Sequence, residues 1–234
     1  MLGHQFVRVV NLTIQIVSLS WIVGLFCIFR PMKRMGSYGE NKGLSVLDKF
    51  GQILSGRSIS KTLKHAGSHD SLGDIGAGFN GNVTKPFWRS FSEIHLFDLS
   101  LNCEELESLH KNISCHEGDV IETTGNFKGK LDFIVMNNLL EHINEPVELL
   151  SQIKSILPEG GVLHINVPSW KGKIFLELAA FNLNLAPREE MEDHKRYYSK
   201  RELWLELRKA GFMPSKIKVR TNKFGLNILA SVRN

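Results

Sequence analysis

The sequence predicts an α/β domain. Its sheet has seven strands, mostly parallel, with helices on both faces and an antiparallel hairpin at the C-terminal end, and an apolar N-terminal helix precedes it. Three observations carry this expectation. From Ser71 onward, short apolar runs alternate with helical stretches, which implies parallel strands joined by right-handed crossovers. The first run, Leu72-Gly73-Asp74-Ile75, leads into Gly76-Ala77-Gly78-Phe79-Asn80-Gly81, a Gly-x-Gly-x-x-Gly turn. The next run, Ile94-His95-Leu96-Phe97-Asp98, ends in a carboxylate about twenty residues beyond those glycines, the spacing of a nucleotide-type ligand site.

The elements follow in order. Val9 to Phe29 is an uncharged run interrupted by Asn11, Thr13, Gln15, Ser18 and Ser20, and it is long enough to span a bilayer. Arg8 flanks one side, and Arg30, Lys33 and Arg34 flank the other, so an anchored chain would keep its bulk in the cytoplasm. A helix packed on the domain, or a translation start at Met32 or Met35, are the competing readings. No small-residue cleavage site follows the run, which disfavours a signal peptide. Gly36 to Gly43 is a linker. Ser45 to Leu63 has helical spacing at Val46, Leu47, Phe50, Ile53 and Leu54, with a break expected at Gly56. Lys49, Arg57, Lys61 and Lys64 form its solvated face, or a basic face against lipid headgroups.

Leu72 to Ile75 is the first strand, and Lys85 to Ser92 is a short helix or irregular crossover. The second strand is Ile94 to Asp98, Glu104 to His110 is helical, and Ile113 to His116 is the third strand. Leu131 to Asn137 is a strongly apolar fourth. Pro146 to Leu157 is an amphipathic helix, with Val147, Leu150, Ile153 and Leu157 on one face and Pro146 in its first turn. Val162 to Val167 is the fifth strand, and Lys173 to Leu185 an apolar helix. Ser199 caps a helix running to Ala210, with Glu202 at capping-box spacing and Gly211 as its stop. Ile217 to Arg220 and Leu226 to Val232 form the final hairpin. The expected organisation is an N-terminal segment over 1–35, linker and helices over 36–70, and one domain over 71–234.

Composition sets limits on function. The chain has 234 residues, 42% hydrophobic and 23% charged, enough for one well-buried domain and too ordered in composition for wholesale disorder. A net charge of +5 argues for no particular anionic partner, and no nucleic-acid-binding signature accompanies it. Cys27, Cys103 and Cys115 lack C-x-x-C or zinc spacing, so they read as buried free thiols of a reducing compartment, and no metal site is expected. One Asn-x-Thr sequon falls at Asn82, directly after the glycine turn. A glycan there would obstruct the ligand, which disfavours a lumenal protein.

The order of motifs resembles a class I S-adenosylmethionine-dependent methyltransferase with a Rossmann-like sheet, from about Leu44 to the C-terminus. The motifs are Gly73-Asp74-Ile75-Gly76-Ala77-Gly78, Phe97-Asp98-Leu99-Ser100, Glu117-Gly118-Asp119-Val120, Leu131 to Val135 followed by Leu139-Leu140-Glu141-His142-Ile143, and Leu157-Pro158-Glu159-Gly160-Gly161. The flavour is that of small-molecule and bacterial surface-polysaccharide pathways. The resemblance implies S-adenosylmethionine as cofactor. Gly76, Ala77 and Gly78 would pass close to its methionine part. Asp74 would accept from its ammonium, directly or through water, or else only form the turn. Asp98, with Leu99, would take the ribose diol, or cap a helix. Asp119, with Val120, would meet the adenine, or simply lie in a loop. Asn137 and Asn138 would stand beside the sulfonium, or satisfy the strand end.

An oxygen or nitrogen acceptor can require a base. His142 and His194 are the candidate catalytic residues, with a helix start and pairing to Glu192 and Asp193 as their structural alternatives. The segment 173–198 is the expected acceptor wall or lid. The partner is a small-molecule or glycan- or lipid-linked acceptor, with no nucleic acid and with membrane association through residues 9–29. A nicotinamide oxidoreductase is the rival, weakened because no Tyr-x-x-x-Lys pair follows the glycine turn. A catalytically silent, membrane-tethered scaffold of the same fold is the third reading.

Overall fold

The computed structural model describes residues 46–67, 70–177 and 195–234. The apolar run 9–29, Cys27, most of the expected lid and His194 lie outside them. Among the described residues, no helix is long and apolar enough to cross a membrane.

Helix α1 (Val46–Ala66) is continuous. The expected break at Gly56 does not occur. A helical glycine costs only about 1 kcal/mol, and this helix is pinned by burial of Ser55, Ser58, Ile59 and Thr62 on the sheet. Arg57, Lys61 and Lys64 are exposed along its other side. The strands are β1 (Ser71–Ile75), β2 (Glu93–Asp98), β3 (Ile113–Glu117), β4 (Phe133–Asn137), β5 (Val162–Pro168), β6 (Ile217–Asn222) and β7 (Asn227–Arg233). The remaining helices are α2 (Cys103–Leu109), α3 (Val120–Asn126), α4 (Pro146–Ile156), α5 (Trp170–Glu177) and α6 (Lys200–Lys209). Helix α3 is not foreseen from the sequence. Its residues, Val-Ile-Glu-Thr-Thr-Gly-Asn, are poor helix formers. Asp119 supplies the missing stability by accepting from the Ile121 amide at the N-terminus.

The strands form one sheet in the order β3-β2-β1-β4-β5-β7-β6. The first five are parallel, and β7 runs antiparallel to both neighbours. The order reverses at β1 and β4, so a crevice opens beyond their carboxyl ends.

Alternation along β4 divides the core. Ile134 and Met136 face Leu150, Ile153, Leu203 and Leu207 of α4 and α6, whereas Phe133 and Val135 face Ile59, Trp88 and Leu106 on the opposite side. On that second face, His164 of β5 lies fully buried, its Nδ1 2.9 Å from Thr62 Oγ1 and its Nε2 3.4 Å from Ser58 Oγ. Ser199 and Glu202 complete the expected capping box on α6, and Gly211 closes it with φ 93°. Cys103 and Cys115 are free and only half-buried, not buried as expected. They interact with each other, and burial raises both thiols above their usual range.

Candidate active site

The glycine turn is built by the end of β1 and held by β2. Gly76 and Gly78 have φ of 79° and 70°, a conformation that side chains resist. A Cβ on Gly76 would lie 3.0 Å from the Leu139 side chain. The amides of Gly76 and Ala77 both donate to Phe97 O, at 2.8 and 3.2 Å. Asp98 is half-buried, with Oδ2 accepting from Gly78 N and Oδ1 from Leu99 N, each at 2.7 Å. This carboxylate thus fixes the turn. A carboxylate has roughly four lone-pair sites, so it can hold the backbone and still meet a diol.

Asp74 stands under the turn and is 2% exposed. Thr84 Oγ1 donates to its Oδ2 at 2.5 Å, and Trp88 Nε1 donates to Thr84 Oγ1 at 3.1 Å. Burial pushes the Asp74 carboxyl up to about 7, the Thr84 bond pulls it down, and the Asp98 charge adds to the rise. Asp119 is exposed at the end of the β3 loop, where Oδ1 caps α3, and Val120 beside it is buried. The structure brings Asp74, Gly76, Ala77, Gly78, Asp98 and Leu99 together at β1 and β2, with Asp119 and Val120 beyond β3.

Asn137 and Asn138 lie at the end of β4. Asn166 Nδ2 donates to both, at 3.1 and 3.2 Å, and Asn227 Nδ2 to Asn138 Oδ1 at 3.5 Å. Asn222 Nδ2 donates to Asn166 Oδ1 at 3.4 Å. An amide network therefore spans the ends of β4, β5, β6 and the start of β7. Asn138 adopts φ 53°.

The one-turn helix Leu140–His142 follows. His142 closes it, half-buried. Its neighbour Glu141, not singled out in the sequence, is fully buried, and neither carboxylate oxygen has a hydrogen-bond partner. Burial pushes Glu141 up to about 8, against the pull first of its own backbone amide and then of the Lys223 charge. Burial likewise lowers the Lys223 ammonium, and Glu141 opposes that shift. The signal that marked Glu141 was a carboxylate inside the apolar run Leu139 to Ile143. Nothing local marked Lys223, because its partner lies far along the chain.

Comparison with known proteins places this geometry. A family model described as a methyltransferase domain matches residues 47–215. No curated protein matches the chain. Among solved structures, magnesium protoporphyrin IX methyltransferase from Synechocystis with bound SAH is 14% identical at a TM-score of 0.58, covering 83% of this chain and 90% of that one. An O-methyltransferase family protein from Burkholderia thailandensis is 17% identical at 0.56, over 78% of this chain and 57% of that one. Human N-acetylserotonin methyltransferase in complex with SAM is 18% identical at 0.56, over 80% of this chain and 55% of that one. The chain thus spans little more than half the length of the last two, and at these identities the likeness is one of fold. The family model covers most of the chain and includes the turn, the carboxylates and the β4 exit, so this protein belongs to the methyltransferase domain family.

Proposed function

We propose that the chain is an S-adenosylmethionine-dependent methyltransferase acting on a small-molecule, glycan or lipid-linked acceptor that offers a hydroxyl or amine. The single observation behind this reading is the carboxylate-held glycine turn at the point where strand order reverses. There, Asp98 and the Gly76–Gly78 backbone present acceptors and an open main chain to a ligand with an amino-acid end and a ribose. The residues fit that donor. Asp98 meets the ribose, the turn takes the methionine part, Asp119 and Val120 lie toward the adenine, and Asn137 and Asn138 flank the sulfonium. When bound, the donor supplies an electrophilic methyl on a sulfonium that leaves as a neutral thioether. The protein's work is then alignment and exclusion of water.

Charge asymmetry around residues 9–29 supports a cytoplasmic catalytic domain tethered to a membrane. Release from the membrane pellet by detergent but not by high salt is the expected behaviour, and release by salt would remove the tether.

Thermal-shift measurement tests the donor. S-adenosylmethionine and S-adenosylhomocysteine should raise the melting temperature, and Asp98→Ala should abolish the rise. Stabilisation by NAD alone would overturn this function.

A further inference from the structure

The donor-side features lie on β1, β2 and β3. The other half of the same sheet end carries a second set of features, of which the donor reading takes up only Asn137 and Asn138. Among the described residues, three non-glycine residues have positive φ: Asn138 at 53°, Lys223 at 48° and Phe224 at 58°. All three sit at the exits of β4 and β6. Such conformations persist where surrounding structure enforces them, and they cluster at functional sites. Among the described residues, the only buried side-chain nitrogen or oxygen atoms without a hydrogen-bond partner also lie here, and they are the two carboxylate oxygens of Glu141. Native proteins rarely leave a buried carboxylate unsatisfied.

We propose that Glu141 is the proton acceptor of the methyl-transfer site, and that the methyl acceptor is a small molecule whose hydroxyl or amine hydrogen-bonds the Glu141 carboxylate. This rests on the methyltransferase reading above. Strained turns and an orphaned carboxylate converge at one end of β4, beside the asparagine network. The acceptor's lone pair attacks the donor's methyl carbon. The carbon–sulfur bond breaks with its electron pair going to sulfur, and the O–H or N–H proton passes to a Glu141 oxygen. The resulting neutral carboxyl returns that proton to solvent after product leaves.

Glu141 is covered on every side. Lys223, carried by the one-turn segment Lys223–Gly225 between β6 and β7, is the long side chain that can withdraw without unpairing a strand. The other groups facing Glu141 are Tyr198, whose hydroxyl donates to Glu206 Oε2 at 3.0 Å, and Lys195, whose amide donates to Glu141 O at 3.1 Å. Glu206 in turn pairs with Arg196 at 3.2 Å. His142 adjoins in the chain.

Glu141→Met and Glu141→Gln test this in the full chain. If Glu141 is kept for chemistry, Glu141→Met relieves an unsatisfied buried carboxyl and raises the melting temperature by about 2–4 °C. S-adenosylhomocysteine affinity by calorimetry should stay within about twofold of wild type. With radiolabelled methyl donor and a panel of phenols, sugars and primary amines, Glu141→Gln should slow transfer about 100-fold or more. Its rate should also lose the rise through about pH 8 expected of wild type, and Lys223→Met should move that rise to higher pH. A lower melting temperature for Glu141→Met would overturn the proposal, since the carboxyl would then hold the fold; so would transfer by Glu141→Gln at the wild-type rate. Failure of wild type to bind S-adenosylhomocysteine would instead overturn the methyltransferase reading, and the thermal result needs no acceptor.

Discussion

Two ionisable side chains, the buried His164 and the half-buried Asp98, show how far single residues could be read. His164 was invisible in the sequence, since nothing local distinguishes it from a strand residue facing water. Its hydroxyl partners come from α1, and burial holds it down at about 3. The unfolded chain protonates it near 6.5, so the folded state loses stability as pH falls below that value, by about 1.4 kcal/mol per unit until the folded group also titrates. His164→Leu should remove this pH dependence; Ser58 and Thr62 keep their own bonds to the Ser55 and Ser58 carbonyls, so the loss at neutral pH should be about 1 kcal/mol. Urea melts at pH 7 and pH 5 would show both effects. Asp98, by contrast, was marked in the sequence, as the carboxylate ending the strand that follows the glycine turn. What the sequence did not show is that its oxygens hold the turn itself. Asp98→Ala therefore disturbs the Gly78 backbone as well as any ligand contact.

At the scale of elements, legibility followed the source of stability. Helix α6 carries its own start and stop signals, and the capping box is present as read. Ser199→Ala should cost about 1 kcal/mol, measured by denaturant midpoint, with Ser199→Asp retaining most of it. Helix α3 carries no such signals apart from Asp119, and it exists because Val120 and Thr124 are buried against the sheet and α4. The reverse error occurred at Gly56, where a local breaker was outweighed by the buried face of α1. The strands were found to within about two residues, and β4 and β5 most plainly, because buried parallel strands read as continuous apolar runs. Their order was not in the pattern of the runs, since register and neighbours are set by packing across the core.

Over the whole sheet, the two halves of the carboxyl end divide the work. Strands β1 to β3 carry the carboxylates and the glycine turn, and β4 to β7 carry the amides, the strained turns and Glu141. The first half was readable, because its glycines and acids stand at fixed spacings along the sequence. In the second half Asn137, Asn138 and His142 were marked, whereas Glu141 and Lys223 were not, because their chemistry depends on burial and on residues distant in sequence. Strand β7 is the keystone of that half. It lies between β5 and β6 and buries Ile228, Leu229, Ala230 and Val232. A chain ending before Asn227 should leave two unpaired edges and aggregate, as light scattering would show, whereas loss of Arg233 and Asn234 alone should be tolerated far better. The same placement bears on how the protein is made. On the ribosome, strands emerge one after another, and β1 to β5 can pair as they appear. The strand that lies against β5 leaves the tunnel after all the others. Every growing chain therefore passes through an interval in which β5 presents a bare edge. The protein's yield in a cell should depend on how soon β7 is made after β5 and on whether a chaperone covers that edge meanwhile.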